Sequence, residues 1–445
     1  MLKSVKTTNC YSFMRKMSIM NKLIVFFGVL FAFPCLAQNN NDIRKVRNLK
    51  QEAKFQKMST EEVKRYETKL MRQVADLALI PPQINTSPLP EYDYDTQHYV
   101  MSLTMERTVD GRIWLAWIGE CDCPSSYLLA ATSDDDGETW SKPRLVIDGR
   151  SSSIPIQRTV IIGNFWTDPS GKLWLFFDQT MNHFDGRGGF WAITCENPDD
   201  ENPVWSEPKR ISHGAMLNKP TVLSTGEWVL PSYLLQNEGF GPFKGTFPEL
   251  DPYRGVNVLV STNQGESWEL RGIRSFPNPS WHEAMIVEKE GGEWWMTART
   301  TKGIMESFSS DNGFTWSEPA MTESNIQHPS SRFFIRRLKS GRILLIKNGK
   351  ELHKQEGRNY FSAWLSDDDG KTWKGGLVID DREKVTYPDG FQAPDGTIYV
   401  TYDHNRGFGE IVLAKFTEED VLAGKITNTQ SKLKMTAIRP MKKKK

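Results

Sequence analysis

The chain has 445 residues, of which 38% are hydrophobic and 25% charged, with a formal net charge of +1. That composition supplies a real core and excludes disordered and collagen-like chains. A charge this near zero gives no electrostatic argument for nucleic acid. Fifteen Trp, twelve Tyr and twenty-three Phe point to an all-β chain or a carbohydrate binder.

The first element is the apolar run LIVFFGVLFAFPCLA at 23–37. It is short for a membrane span. Basic residues precede it and a small-residue site follows at Ala37-Gln38, so residues 1–37 read as a secretory signal peptide. A secreted or periplasmic location is expected, with no stable membrane span after cleavage. Phe33-Pro34 is a poor match to a lipidation box before Cys35, which makes a lipoprotein the lesser reading. Removing the five bases of 1–37 takes the net charge from +1 to −4. Setting aside the seven bases of 432–445 leaves a body of −11. Cys121, Cys123 and Cys195 survive cleavage, and an odd number implies no closed disulfide framework. No His/Cys partner pair stands at zinc spacing from Cys121-Asp122-Cys123, so neither metal nor cofactor is expected.

Residues 42–78 are polar, charged and free of glycine, and predict one or two helices. Pro81, Pro82, Pro88 and Pro90 then mark a linker, which closes a lead segment at 38–90. From 91 to 427 the chain repeats itself. A turn followed by an apolar or aromatic strand recurs six times, with turn glycines Gly111, Gly171, Gly226, Gly292, Gly341 and Gly396. Intervals of 49 to 66 residues suit four strands plus loops, the size of a propeller blade.

A second repeat lies between the turns. Ser133–Trp140, Ser309–Trp316 and Ser366–Trp373 fit S-x-D-x-G-x-T-W. Ser261–Trp268 is a softened copy, and Trp205-Ser-Glu-Pro208 ends like a fifth. The Asp accepts backbone N–H bonds, the Gly takes positive φ and the Trp packs on a neighbouring sheet. Several near-identical copies at blade spacing are architecture, since an active site needs a single constellation. The basic stretch 428–445 is expected to be a solvated tail.

Inner strands of a propeller line its axis and should be apolar except at a site. Nine residues before the turn glycine stand Glu283 in blade four, Arg332 in blade five and Tyr387 in blade six. Blade three gives Leu217 there, beside Asn218 and Lys219, and blade one gives Ser102, four residues after His98. Ionisable groups at one depth on three blades point to a site at one mouth.

The repeated motifs are Asp boxes and resemble those of the sialidase (neuraminidase) superfamily, over about residues 95 to 425. The resemblance implies an all-β, six-bladed β-propeller after a short N-terminal helical segment. It also implies an exo-acting glycoside hydrolase that releases a terminal acidic sugar from a glycan. Laid on residue by residue, the family pattern implies Tyr387 as nucleophile, Glu283 as its activator, Asp122 as acid/base, and Arg299 and Arg358 as holders of the substrate carboxylate. The first arginine of the family's triad has no counterpart. Gln97-His98-Tyr99-Val100-Met101-Ser102 stands in its place, and His98 becomes a candidate contact. Arg332 is a substrate-contact candidate from register, and Lys219, Arg187 and Arg406 are weaker candidates for extra anion contacts. The missing arginine keeps open a hydrolase of another acidic glycoside, such as a uronic or keto-deoxy acid. A non-catalytic carbohydrate-binding propeller and a protein-interaction scaffold are further readings. Oligomeric state is not addressed by any motif.

Overall fold

The computed structural model describes residues 39–236 and 241–440. The expected signal segment and the last five residues of the expected tail lie outside the described residues. Six four-stranded antiparallel sheets follow one another along the chain and form a six-bladed β-propeller. Their innermost strands are Met101–Arg107, Gly163–Thr167, Thr221–Val222, Pro279–Glu288, Phe334–Arg337 and Val385–Gln392. Sheets stacked against neighbours on both faces need strands apolar on both faces. Ile113–Gly119 and Tyr127–Ser133 are accordingly buried at every position.

The Asp boxes are self-bonded turns. In the copy at 309–316, Asp311 Oδ1 accepts from the Ser309 hydroxyl and the Thr315 amide at 2.9 Å each. Gly313 sits at φ +87°, where a Cβ would meet the Trp294 ring at 2.5 Å. Glycine is therefore required there twice, by backbone and by space. Trp316 donates its indole N–H to the Gly313 carbonyl at 3.0 Å. Asp135 and Asp368 accept the same bonds within their own turns, which agrees with their reading as scaffold.

Blade six takes all four strands from 385–438, so the ring closes on blade one without a shared strand, through a short backbone bridge at Tyr99–Gly407 and through side chains. Asp389 Oδ2 accepts from the Thr104 hydroxyl and the Met105 amide at 2.9 Å each. Asp403 Oδ2 accepts from the Ser102 amide at 3.3 Å.

The expected basic tail needs correction. Lys432–Ile438 is the outermost strand of blade six. Its burial alternates exposed and partly buried, so its lysines point to solvent while Leu433, Met435 and Ala437 lean on the sheet. Charge counting hid this period of two.

The lead segment is helical as expected. Thr60–Ala75 starts in a capping box at Ser59 and Glu62. It buries Met71, Val74 and Ala75 against Ile156, Met181, Phe243 and Phe247 of blades two and three. The Pro-rich stretch also pairs with the propeller, since Asn85 exchanges backbone bonds with Val146 on the outer strand of blade one. No described helix is long and apolar enough to cross a membrane. Cys121 and Cys123 are joined as a disulfide and Cys195 is buried and free, so two of the three cysteines pair locally across one residue.

Candidate active site

Tyr387 opens the inner strand of blade six at φ +59°, directly before Pro388. Residues before proline favour extended backbone, and positive φ is costly for a bulky side chain. The ladder slips between Thr386 and Asp389 at this point. His282 and Glu283 take φ +55° and +42° at the matching place in blade four, where the ladder also slips. Two bulges at one depth thus turn Tyr387 and Glu283 into the same mouth.

Arg299 lies opposite His282 on the next strand of blade four. Its Nη1 donates to Glu283 Oε1 at 2.8 Å and to the Tyr387 hydroxyl at 3.5 Å. The Glu283 side chain is fully buried, and its Oε2 has no hydrogen-bond partner. Burial pushes the Tyr387 phenol above its ordinary pKa, with the Glu283 charge acting the same way and Arg299 and Arg406 opposing. At neutral pH the side chain is a neutral phenol beside an acceptor.

Ser330 ties the arginines together. Its hydroxyl accepts from Arg299 Nε at 3.4 Å and its carbonyl from Arg358 Nη2 at 2.8 Å. Arg358 is more exposed than Arg299. Partial desolvation of its guanidinium pushes the pKa down, and the neighbouring Arg299 adds repulsion.

Arg406 is the third guanidinium. It comes from the loop after Ile398–His404 and lies 4.1 Å above the Tyr387 ring. Nε bonds Asp403 Oδ1 and the Thr386 hydroxyl at 3.2 Å each. Nη1 reaches Asp122 Oδ2 at 3.5 Å, and Nη2 is buried without a partner. Burial works against its charge, but Asp403, Tyr387, Tyr99 and Asp122 hold the group protonated. Asp122 stands between the paired cysteines. Its Oδ1 lies 3.6 Å from His183 Nε2, and the His183 ring stacks on Trp281 at 5.8 Å. Burial lowers the His183 pKa against the pull of Asp122.

Tyr387, Glu283, Asp122, Arg299 and Arg358 therefore converge. Three other expected contacts do not. Arg332 is buried beneath the mouth, donating to Asn218 Oδ1 at 3.0 Å and the Leu103 carbonyl at 2.7 Å. Blade five has no bulge at this depth, so its side chains keep the inward phase and Ser330 faces the mouth instead. Lys219 pairs with Glu106 at 2.8 Å and Asp389 at 3.4 Å in the same buried layer. His98 is exposed, its ring 5.9 Å from Phe408. The weaker candidate Arg187 clamps the lead helix through Asp76. Sequence reasoning underrated Arg406 and missed Ser330, His183 and Trp281. Ser330, His183 and Arg406 lie in loops, which have no strand phase to betray them, and Trp281 sits beside a bulge that breaks the phase of its strand; only the absence of a blade-one arginine hinted that one would arrive from elsewhere.

The fold, its Asp boxes and the converging side chains define a sialidase-like propeller. The chain belongs to the BNR repeat-like domain family, whose model matches residues 128–400. Comparison with curated protein sequences gives no match. Among solved structures, the chain is similar to the intramolecular trans-sialidase of Ruminococcus gnavus, at 12% identity and TM-score 0.57, over 76% of this chain and 98% of that one. It is similar to the leech intramolecular trans-sialidase at 13% identity and TM-score 0.57, over 77% of this chain and 71% of that one. A protein of unknown function from Dyadobacter fermentans is similar at 16% identity and TM-score 0.52, over 75% of this chain and 98% of that one. At these identities the likeness concerns the fold.

Proposed function

We propose that the protein is a retaining exo-glycosidase of sialidase type, releasing a terminal acidic sugar with Tyr387 as nucleophile. The observation that carries this reading is the sharing of Arg299 Nη1 by Glu283 and Tyr387, with a second guanidinium over the phenol ring. A carboxylate nucleophile would be repelled by a sugar carboxylate beside the anomeric carbon; a phenol is not. As Tyr387 Oη bonds to the anomeric carbon, its proton passes to the unpaired Glu283 Oε2. Asp122 gives its proton to the departing glycosidic oxygen, then takes one from the water that frees the sugar and restores the phenol. Arg299, Arg358 and the open Nη2 of Arg406 hold the sugar carboxylate with forked bonds.

Tyr387→Phe should abolish release of the fluorophore from an α-ketosidic sialoside while the far-UV spectrum stays unchanged. Undiminished turnover would remove Tyr387 from the mechanism. One observation favours a second reading, hydrolysis of another acidic glycoside. Arg406 already answers Asp403 and Asp122, so the pocket offers less free positive charge than three unpaired arginines would. Cleavage of a uronide or keto-deoxy glycoside with inert sialosides would decide for it. Glycan binding with no cleavage across the panel would leave a carbohydrate-binding propeller. Secretion through residues 1–37 is part of the proposal, and N-terminal sequencing of the exported protein checks it at Gln38.

A further inference from the structure

The tunnel along the propeller axis has a second mouth, at the far ends of the inner strands. Two adjoining cavities of about 210 and 200 Å³ open there. Every blade contributes to their walls, through Glu106, Thr167, Lys219, Glu288, Arg336 and Gln392 in blade order. Each has room for a small ion with several waters. Arg336 and Phe334 line both cavities, which places this guanidinium where the two meet.

The charges around it do not balance. Between the mouths, Lys219 and Arg332 face Glu106 and Asp389 at 2.8 to 3.5 Å, two cations against two carboxylates. Arg336 is the extra cation. Among the described residues it has no carboxylate in ion-pair reach, and its one bond is a long 3.4 Å contact from Nη1 to the Pro220 carbonyl. The charged groups at the rim are engaged elsewhere. Glu288 accepts from the Ser224 amide and hydroxyl at 2.6 and 2.7 Å. Arg337 pairs with Asp369, and Lys339 donates to the Ala393 carbonyl at 3.1 Å. Trp166, Phe334 and Phe391 wall the cavities with aromatic surface, so water screens the charge poorly. Burial correspondingly pushes the Arg336 pKa down, with only the more distant Glu106 and Asp389 opposing.

A partly buried guanidinium without a counter-ion is costly, and its forked donors match an oxyanion. We infer that the far mouth is a binding site for one small oxyanion, a phosphate or a carboxylate, held by Arg336 on the propeller axis. The site is separate from the mouth that holds Tyr387, and it does not depend on any glycosidase activity.

Isothermal titration of the full-length protein at fixed ionic strength tests this, with inorganic phosphate, acetate and chloride as the added anions. Phosphate should bind saturably at one site and raise Tm, and chloride should do neither. Acetate binding more tightly than phosphate would mark a carboxylate as the natural occupant. Arg336→Gln should weaken binding at least tenfold and leave hydrolysis at the other mouth unchanged. If that variant does not fold, Arg336→Lys keeps the charge without the fork and should also bind more weakly. Arg358→Ala should leave the phosphate heat intact. No saturable phosphate or acetate binding by the wild type overturns the inference. So does equal affinity in the Arg336 variants, or heat that disappears with Arg358→Ala, which would place the anion at the opposite mouth.

Discussion

Glu283 and Tyr387 meet on a single atom, the Nη1 of Arg299, at 2.8 and 3.5 Å. They come from blades four and six and are brought together by two kinked strand starts. The guanidinium bonds one carboxylate oxygen of Glu283 and leaves the other without a hydrogen-bond partner. Glu283→Gln removes the proton acceptor and keeps the shape, so kcat should fall about 10²- to 10⁴-fold. KM should change far less. A kcat within a factor of two of wild type would take Glu283 out of the proton path.

Arg358 and Arg406 stand near Tyr387 on connecting segments of the adjacent blades five and six. Arg358→Lys retains charge but loses the fork, and a lost charge-assisted bond is worth about 1.5–3 kcal/mol. KM for an acidic glycoside should therefore rise about 10- to 100-fold, with a smaller effect on kcat. Arg406→Lys should do more, since Arg406 also touches Asp122. Its signature is a displaced pH profile of kcat in addition to a raised KM. Steady-state kinetics from pH 4 to 9 on both variants separates the two effects.

Glu410 anchors the outer strand of blade six through Thr436 and Arg439 and ties it to Arg382 on the outer strand of blade five. Burial alone would raise its pKa, but Arg439 and Arg382 hold it down at about 2, from 4.5. A depressed carboxylate pKa contributes stability that is fully present above 4.5 and is lost as pH falls toward 2. Glu410→Gln should lower Tm at neutral pH and make its acid-side fall shallower. A variant whose Tm tracks wild type at every pH would sever Glu410 from the strand.

The lead helix covers apolar surface on blades two and three. Deleting residues 39–80 uncovers Ile156, Met181, Phe243 and Phe247, each worth about 1.5–3 kcal/mol when buried. Gln179 and Arg187 lose their partners on the lead at the same time. The loop between them carries His183. The truncated protein should melt earlier and be cut by protease within 179–189, a pattern that mass spectrometry of the fragments resolves.

The blade count was legible because the Asp box and the turn glycine each repeat with one local physical meaning. Glu283 and Tyr387 were legible because strand phase and turn spacing measure the same depth on different blades. The same ruler misplaced Arg332, since it cannot see which strands are kinked. Arg406 escaped it because its place is set by the Tyr99–Gly407 bridge between blade one and a blade-six loop, a contact some three hundred residues apart in the chain. The strand at Lys432–Ile438 was hidden by its own lysines, although its alternation was there to read.

The seam of the ring and the pocket occupy the same ground. Asp389 and Asp403 fasten blade six to blade one, while Tyr387 and Arg406 stand on one side of that join and Asp122 on the other. No strand is shared across it and its backbone pairing, among the described residues, is the single Tyr99–Gly407 bridge, so the propeller is a clasped band rather than a welded hoop. Mild denaturation that springs the clasp will part Asp122 from Tyr387 while every blade keeps its strands. The pocket should then be the first structure lost on unfolding, before any change in β content.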